Sequence, residues 1–108
     1  MANIYKNAFY DPSVTTAVTV YTVPANRTAI VKNIQITNEA GSKNVKVYIY
    51  DSSTSSTNTI AFASISGPTI CNLAKGPIIL EENDALLIDT TVTSSVYGTI
   101  SILEVNRD

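Results

Sequence analysis

Apolar residues along this chain recur at every second position, in short runs between turn-forming residues. That is the spacing of half-buried β-strands, not of helices. The first clear run is Ala17–Val23, closed by Pro24-Ala25-Asn26. The second is Thr28–Asn38, whose inward set changes parity from Ala29 and Val31 to Ile34 and Ile36. A β-bulge at Lys32-Asn33 would absorb that slip. Glu39–Asn44, polar and containing Gly41, reads as a hairpin loop into the third run, Val45–Tyr50. Here Val45, Val47 and Ile49 share one face, and Lys46, Tyr48 and Tyr50 share the other. Ser52–Asn58 is low in complexity and rich in hydroxyls; it cannot bury enough surface to offset its ordering entropy and is expected to be an exposed, mobile loop tip. Five further runs follow: Thr59–Ser66, Thr69–Ala74, Ile78–Leu80, Ala85–Thr90 and Ser95–Val105. Between them lie Gly67-Pro68, Lys75-Gly76-Pro77, the acidic turn Glu81–Asp84 and the link Thr91–Ser94.

Short runs at roughly ten-residue spacing predict an all-β fold, an antiparallel β-sandwich of about eight short strands. A jelly-roll-like topology leads, with an immunoglobulin-like sandwich second. The sandwich domain is expected over residues 17–108, preceded by an N-terminal arm over residues 1–16. The arm carries Tyr5, Phe9 and Tyr10 ahead of Asp11-Pro12. It docks on another subunit or folds back as a first strand.

Composition narrows the chemistry. Ile, Val and Thr make up about a third of the chain, and these β-branched residues suit a pleated surface. Charged residues are 15% of the 108 and the net charge is −2, without the concentrated basic face of a nucleic-acid binder. There is no His, no Trp and one Cys. A Cys/His zinc site, an intramolecular disulfide and any catalytic triad built on His are therefore excluded. No apolar h-region opens the chain, and no window approaches the roughly 20 apolar residues of a membrane helix. Synthesis in a cytoplasm, without export by the ordinary route, is expected. Cys71 reads as a small buried hydrophobe.

Each candidate site has a plainer reading beside it. Glu81-Glu82-Asn83-Asp84 resembles part of a calcium loop, but four adjacent acceptors without a permissive Gly fit a turn better. Asp51 with Asp89 is a conceivable glycosidase-like pair, although each ends a strand, where Asp is ordinary. Arg27 reads as a solvated loop residue, or as a partner for a carboxylate on a neighbouring chain. Tyr48 and Tyr50 carry more information: if Val45, Val47 and Ile49 face the core, these rings face out, as interface residues, as cross-strand cover or, third, as a platform for sugar stacking.

The stretch Tyr21-Thr22-Val23-Pro24-Ala25-Asn26-Arg27-Thr28-Ala29-Ile30-Val31-Lys32-Asn33-Ile34 resembles a recurring segment of small virion proteins of tailed bacteriophages. Pro77–Leu86 is similar to a strand–turn–strand of the same group, and Ile100–Val105 to its last strand. The resemblance spans residues 21–105. It departs where the group favours Ala-Gly-Lys after the Pro and this chain has Ala25-Asn26-Arg27.

The resemblance implies a β-sandwich acting as a capsid decoration (cement) protein, or as a tail or fibre component. The expectation is a non-enzymatic protein without cofactor or metal, bound to the exterior of the head. Its partners would be the major capsid protein and copies of itself in a symmetric oligomer, a trimer favoured, with no nucleic acid and no membrane. The expected contact residues are Tyr5, Phe9 and Tyr10 of the arm and Lys46, Tyr48 and Tyr50 of the outward strand face. The alternative is a tail-attached adhesin that binds host glycan through Ser52–Asn58. A secreted or cellular carbohydrate-binding module, the third reading, fits poorly with the absence of a signal segment and of Trp.

Overall fold

The computed structural model describes residues 3–12, 14–91 and 95–106. Among these there is no helix; nine strands form two antiparallel sheets. In chain order they are β1 (Asn3–Tyr10), β2 (Val18–Thr22), β3 (Arg27–Asn38), β4 (Ser42–Asp51), β5 (Ser56–Ser66), β6 (Thr69–Asn72), β7 (Ile78–Leu80), β8 (Ala85–Thr90) and β9 (Val96–Asn106). The first sheet has the order β1-β9-β3-β6, with β7 also on β3; the second is β2-β8-β4-β5.

The pairings are nested. β4 pairs β5, β3 pairs β6 and β7, β2 pairs β8, and β1 pairs β9. This is one long hairpin, rolled so that β9 comes to lie beside β3 and β8 beside β4. With β6 and β7 counted as a single interrupted strand, it is the jelly-roll sandwich that the strand spacing predicts.

The ninth strand comes from the first sixteen residues. Asn3–Tyr10 is an edge strand paired with β9 along its whole length, so the described part of the arm is folded back onto its own sandwich. The parity change in β3 is also present: Val31 pairs Ile102, Asn33 pairs Ser101, and Lys32 between them is bulged and exposed. Across this site the partner strand is broken. The Asn72 side-chain oxygen accepts the N–H groups of Ile34 and Ala74, each at 3.0 Å, and Leu73 N–H donates to Ile34 O at 2.9 Å. The run expected to reach Ala74 therefore ends as a strand at Asn72, and β7 resumes pairing on the far side of the bulge.

Two loop expectations are corrected. Glu39–Asn44 is not a hairpin loop, because β3 and β4 belong to different sheets. Buried Asn38 redirects the chain: its Nδ2 donates to Gly41 O and Ile65 O, its Oδ1 accepts from Ala40 N, and Gly41 takes a φ of 72°. The hydroxyl-rich tip is also shorter than Ser52–Asn58, since β5 begins at Ser56. Asp51 accepts from Ser53 and Thr54, and Asp84 accepts both the N–H and the hydroxyl of Ser52. These bonds supply the ordering that apolar burial cannot.

Between the sheets, Ala29, Val31, Ile34 and Ile36 of β3 and Ile100 and Ile102 of β9 meet Val45 and Val47 of β4 and Leu86 and Ile88 of β8. Tyr10 enters the same core beneath Gly98, its register partner. A Cβ at Gly98 would lie 3.0 Å from the Tyr10 Cβ and 3.1 Å from the Ile36 Cδ1, so the glycine makes room for the ring.

Candidate functional site

The outer face of the first sheet is the most distinctive surface of the molecule. Inward residues of β9 are even-numbered, so register places Tyr97, Thr99, Ser101, Leu103 and Val105 outward. Opposite them lie Tyr5, Asn7 and Phe9 of β1 and Ile30, Asn33, Gln35 and Thr37 of β3. Tyr5, Leu103, Ile30 and Ile79 are successive register partners, forming an apolar row across four strands. A shorter row joins Tyr97, Thr37 and Ile70. Tyr5, Phe9, Ile70 and Ile79 are each at least 65% exposed. Register places no charged residue outward on this face among the described residues; the bulged Lys32, which has no register partner, lines a hollow beside Tyr5, Asn7 and Ser101.

The outer face of the second sheet differs. Lys46, Tyr48 and Tyr50 point outward as the alternation predicts, opposite Asp89, Leu87 and Ala85 of β8. All three are only partly exposed. The Lys46 ammonium lies 5.5 Å from the ring centre of Phe62, and the Tyr48 hydroxyl donates to Asp89 at 2.7 Å. That bond, with a smaller part from burial, raises the Tyr48 pKa. Lys46 and Tyr48 are thus matched by cross-strand contacts, while Phe62 at the β5 edge stays 58% exposed.

Of the six expected contact residues, Tyr5 and Phe9 lie on the first face and Lys46, Tyr48 and Tyr50 on the second, so the structure does not gather them into one patch. Tyr10 is withdrawn from any contact surface: it is 2% exposed, in the core. Burial, with the Asp89 charge adding to it, pushes its phenol up to about 12. Its hydroxyl and that of Thr90 are buried without a hydrogen-bond partner among the described residues.

Glu104 is the most unusual ionisable group. It occupies an inward position of β9 and is fully buried. It accepts from the Tyr21 hydroxyl, from Arg27 Nη1 at 2.5 Å, and pairs with Lys6 Nζ at 3.3 Å. Arg27 is thus an internal partner, not a solvated loop residue. Burial opposes ionisation of Glu104, but these three donors outweigh it and hold the carboxyl below its usual range. Burial, and then the bond to Glu104, raises the Tyr21 pKa. The cluster joins β1, β2, β3 and β9 and is saturated by its own members, which marks it as a structural tie.

Asp51, Asp84 and Asp89 are likewise committed. Asp84 accepts from Ser52 through Oδ1 and from Glu81 N through Oδ2, and Asn83 adopts a φ of 68°, so Glu81–Asp84 is a turn. Register separates Asp51 from Asp89: Asp89 pairs Lys46, five residues before Asp51. That is about 17 Å along a strand, beyond the roughly 5–9.5 Å of a glycosidase carboxylate pair. Cys71 is partly buried and packs against the core.

No protein-family model matches the chain, and no curated protein matches it. Function must be read from the surface itself. Ile30, Leu103, Ile70 and Ile79 lie outside the expected contact set, yet three of them carry a signal. Ala29-Ile30-Val31, Ile78-Ile79-Leu80 and Ile102-Leu103 are consecutive apolar residues in strands. One member of each must face away from the core.

Proposed function

We propose that this chain is a non-enzymatic virion protein of a tailed bacteriophage, a decoration protein that binds the outer surface of the capsid shell. The observation that carries the reading is the outer face of the first sheet, with its apolar row Tyr5–Leu103–Ile30–Ile79 and no charged residue that register places outward among the described residues. Depletion of charge around exposed aromatic and aliphatic groups marks the core of a protein interface. The resemblance of residues 21–105 to small phage virion proteins supplies the partner, the major capsid protein. Binding only the assembled shell stabilises that shell by mass action, and many copies acting on one particle make weak contacts sufficient.

A tail-attached adhesin is the second reading. It draws on a groove where Asp51, Ser53, Asn58 and Glu81 lie beside Ile60 and Ile79, polar groups next to an apolar wall that suit a sugar. Sedimentation of the protein with expanded, undecorated heads and with host cells separates the two. The decoration reading predicts saturable retention on heads, raised thermal stability of those heads and no retention on cells. Retention on cells or their polysaccharide, with none on heads, selects the adhesin.

A further inference from the structure

Among the described residues the sandwich has four sheet edges, and three are blunted. β1 carries an inward charge, Lys6, tied to Glu104. β2 has five residues and a register shift between Thr19 and Tyr21. β6 and β7 have four and three residues, parted by a segment containing Lys75 and Pro77. Inward charges, bulges and short length are the usual guards against edge-to-edge pairing. The fourth edge, β5, runs for 11 residues without a charge or a proline. Its register shift lies between Thr59 and Ala61, leaving Ala61–Ser66 regular. β4 is the one strand that pairs with it among the described residues.

The direction of the β5 backbone groups follows from one bond. Gly67 N–H donates to Gly41 O at 2.7 Å. Hydrogen-bonded pairs alternate along an antiparallel ladder, so Ile65, Ala63 and Ala61 bond to Lys43, Val45 and Val47. Phe62, Ser64 and Ser66 then aim their N–H and C=O groups away from β4. The short 3.3 Å approach of the Ser42 and Ser66 hydroxyls agrees, because side chains come closer in the non-bonded pairs.

We propose that this edge pairs with β5 of a second copy of the chain, antiparallel about a two-fold axis, joining two four-stranded sheets into one of eight. Ser64 lies opposite the second copy's Ser64, and Phe62 opposite its Ser66. Each such pair exchanges two hydrogen bonds, and no charge meets its like across the axis. A two-fold contact is self-complementary, which an uncharged edge satisfies. The axis stands perpendicular to the sheet, so the first-sheet faces of both copies point the same way. If the decoration reading holds, the dimer presents two adhesive faces to one shell and gains by avidity; the dimer itself does not depend on that reading.

Sedimentation equilibrium of the full chain in the absence of heads tests the pairing. The expected mass at hundreds of micromolar is about 23 kDa, twice the 11.6 kDa of one chain. Ser64→Pro removes an outward N–H and leaves the β4 ladder intact; it is expected to weaken the dimer at least tenfold without changing the circular dichroism. Ser64→Lys, which sets two charges opposite each other, is expected to do the same and decides the matter if the proline variant fails to fold. A wild-type monomer or trimer at these concentrations, or a dimer of unchanged affinity in a folded Ser64 variant, overturns the proposal.

Discussion

The two outer faces of this sandwich are built on the same pleat and solve the problem of exposed side chains differently. On the second sheet, large groups are matched within the chain: Lys46 over Phe62, and Tyr48 to Asp89. On the first sheet, apolar groups line up across four strands with no such partners among the described residues, and Tyr5, Phe9, Ile70 and Ile79 stand well exposed. An outward aromatic is therefore poor evidence of a binding surface by itself. What separates the faces is whether cross-strand neighbours already cover it.

The comparison can be strained most severely through the tie beneath the first face. Glu104→Gln leaves Arg27 and Lys6 without their carboxylate and is expected to cost about 2–4 kcal/mol, reduced from the fully buried case because both cations are partly exposed. Urea unfolding monitored by circular dichroism measures it. β1 should loosen first, seen as faster amide exchange over Asn3–Tyr10. The pH dependence has a fixed sign. Because the folded pKa of Glu104 is lowered, its stabilisation is present above the unfolded value near 4.5 and is lost as pH falls through the lower folded value. For Tyr10, raised to about 12, stabilisation is present below pH 10 and is lost as pH rises from 10 to about 12. The Glu104→Gln variant should flatten the acid limb and, by removing the Tyr21 acceptor, reduce the part of the alkaline limb that Tyr21 carries, leaving the Tyr10 part in place.

Smaller effects sharpen the same contrast. Gly98→Ala sets a methyl against Tyr10 and Ile36 under the first face, and about 1–3 kcal/mol of destabilisation is expected from thermal melts. Tyr48→Phe removes one partly exposed hydrogen bond from the second face. It should cost about 1 kcal/mol or less and leave capsid retention unchanged. Tyr10→Phe removes a buried hydroxyl without a partner among the described residues, and a change close to zero, or slight stabilisation, is expected.

Strand positions, the bulge at Lys32 and the outward set Lys46, Tyr48 and Tyr50 are legible because alternation reports which way each side chain points. Alternation says nothing about which sheet a strand joins. The Glu39–Asn44 crossing, fixed by the buried Asn38 amide, therefore looks like a hairpin in the sequence. Nor does alternation separate an outward aromatic from an inward one in a segment with little periodicity, as Tyr10 shows. Glu104 lies at an inward position between Leu103 and Val105, an inversion visible in the sequence. Its partners are not visible there, because Lys6, Tyr21 and Arg27 are brought to it only by the rolled hairpin.

On the proposed reading, the first sheet's outer face is the adhesive one. The most direct test is co-sedimentation of two variants with expanded heads, side by side. Tyr5→Lys combined with Ile79→Lys adds charge at two exposed positions of the first face; Tyr48→Ser combined with Tyr50→Ser strips the second. The expected result is that the lysine pair loses head binding at least 100-fold while the serine pair retains it, both remaining folded. Retention by the lysine pair with loss by the serine pair contradicts the account.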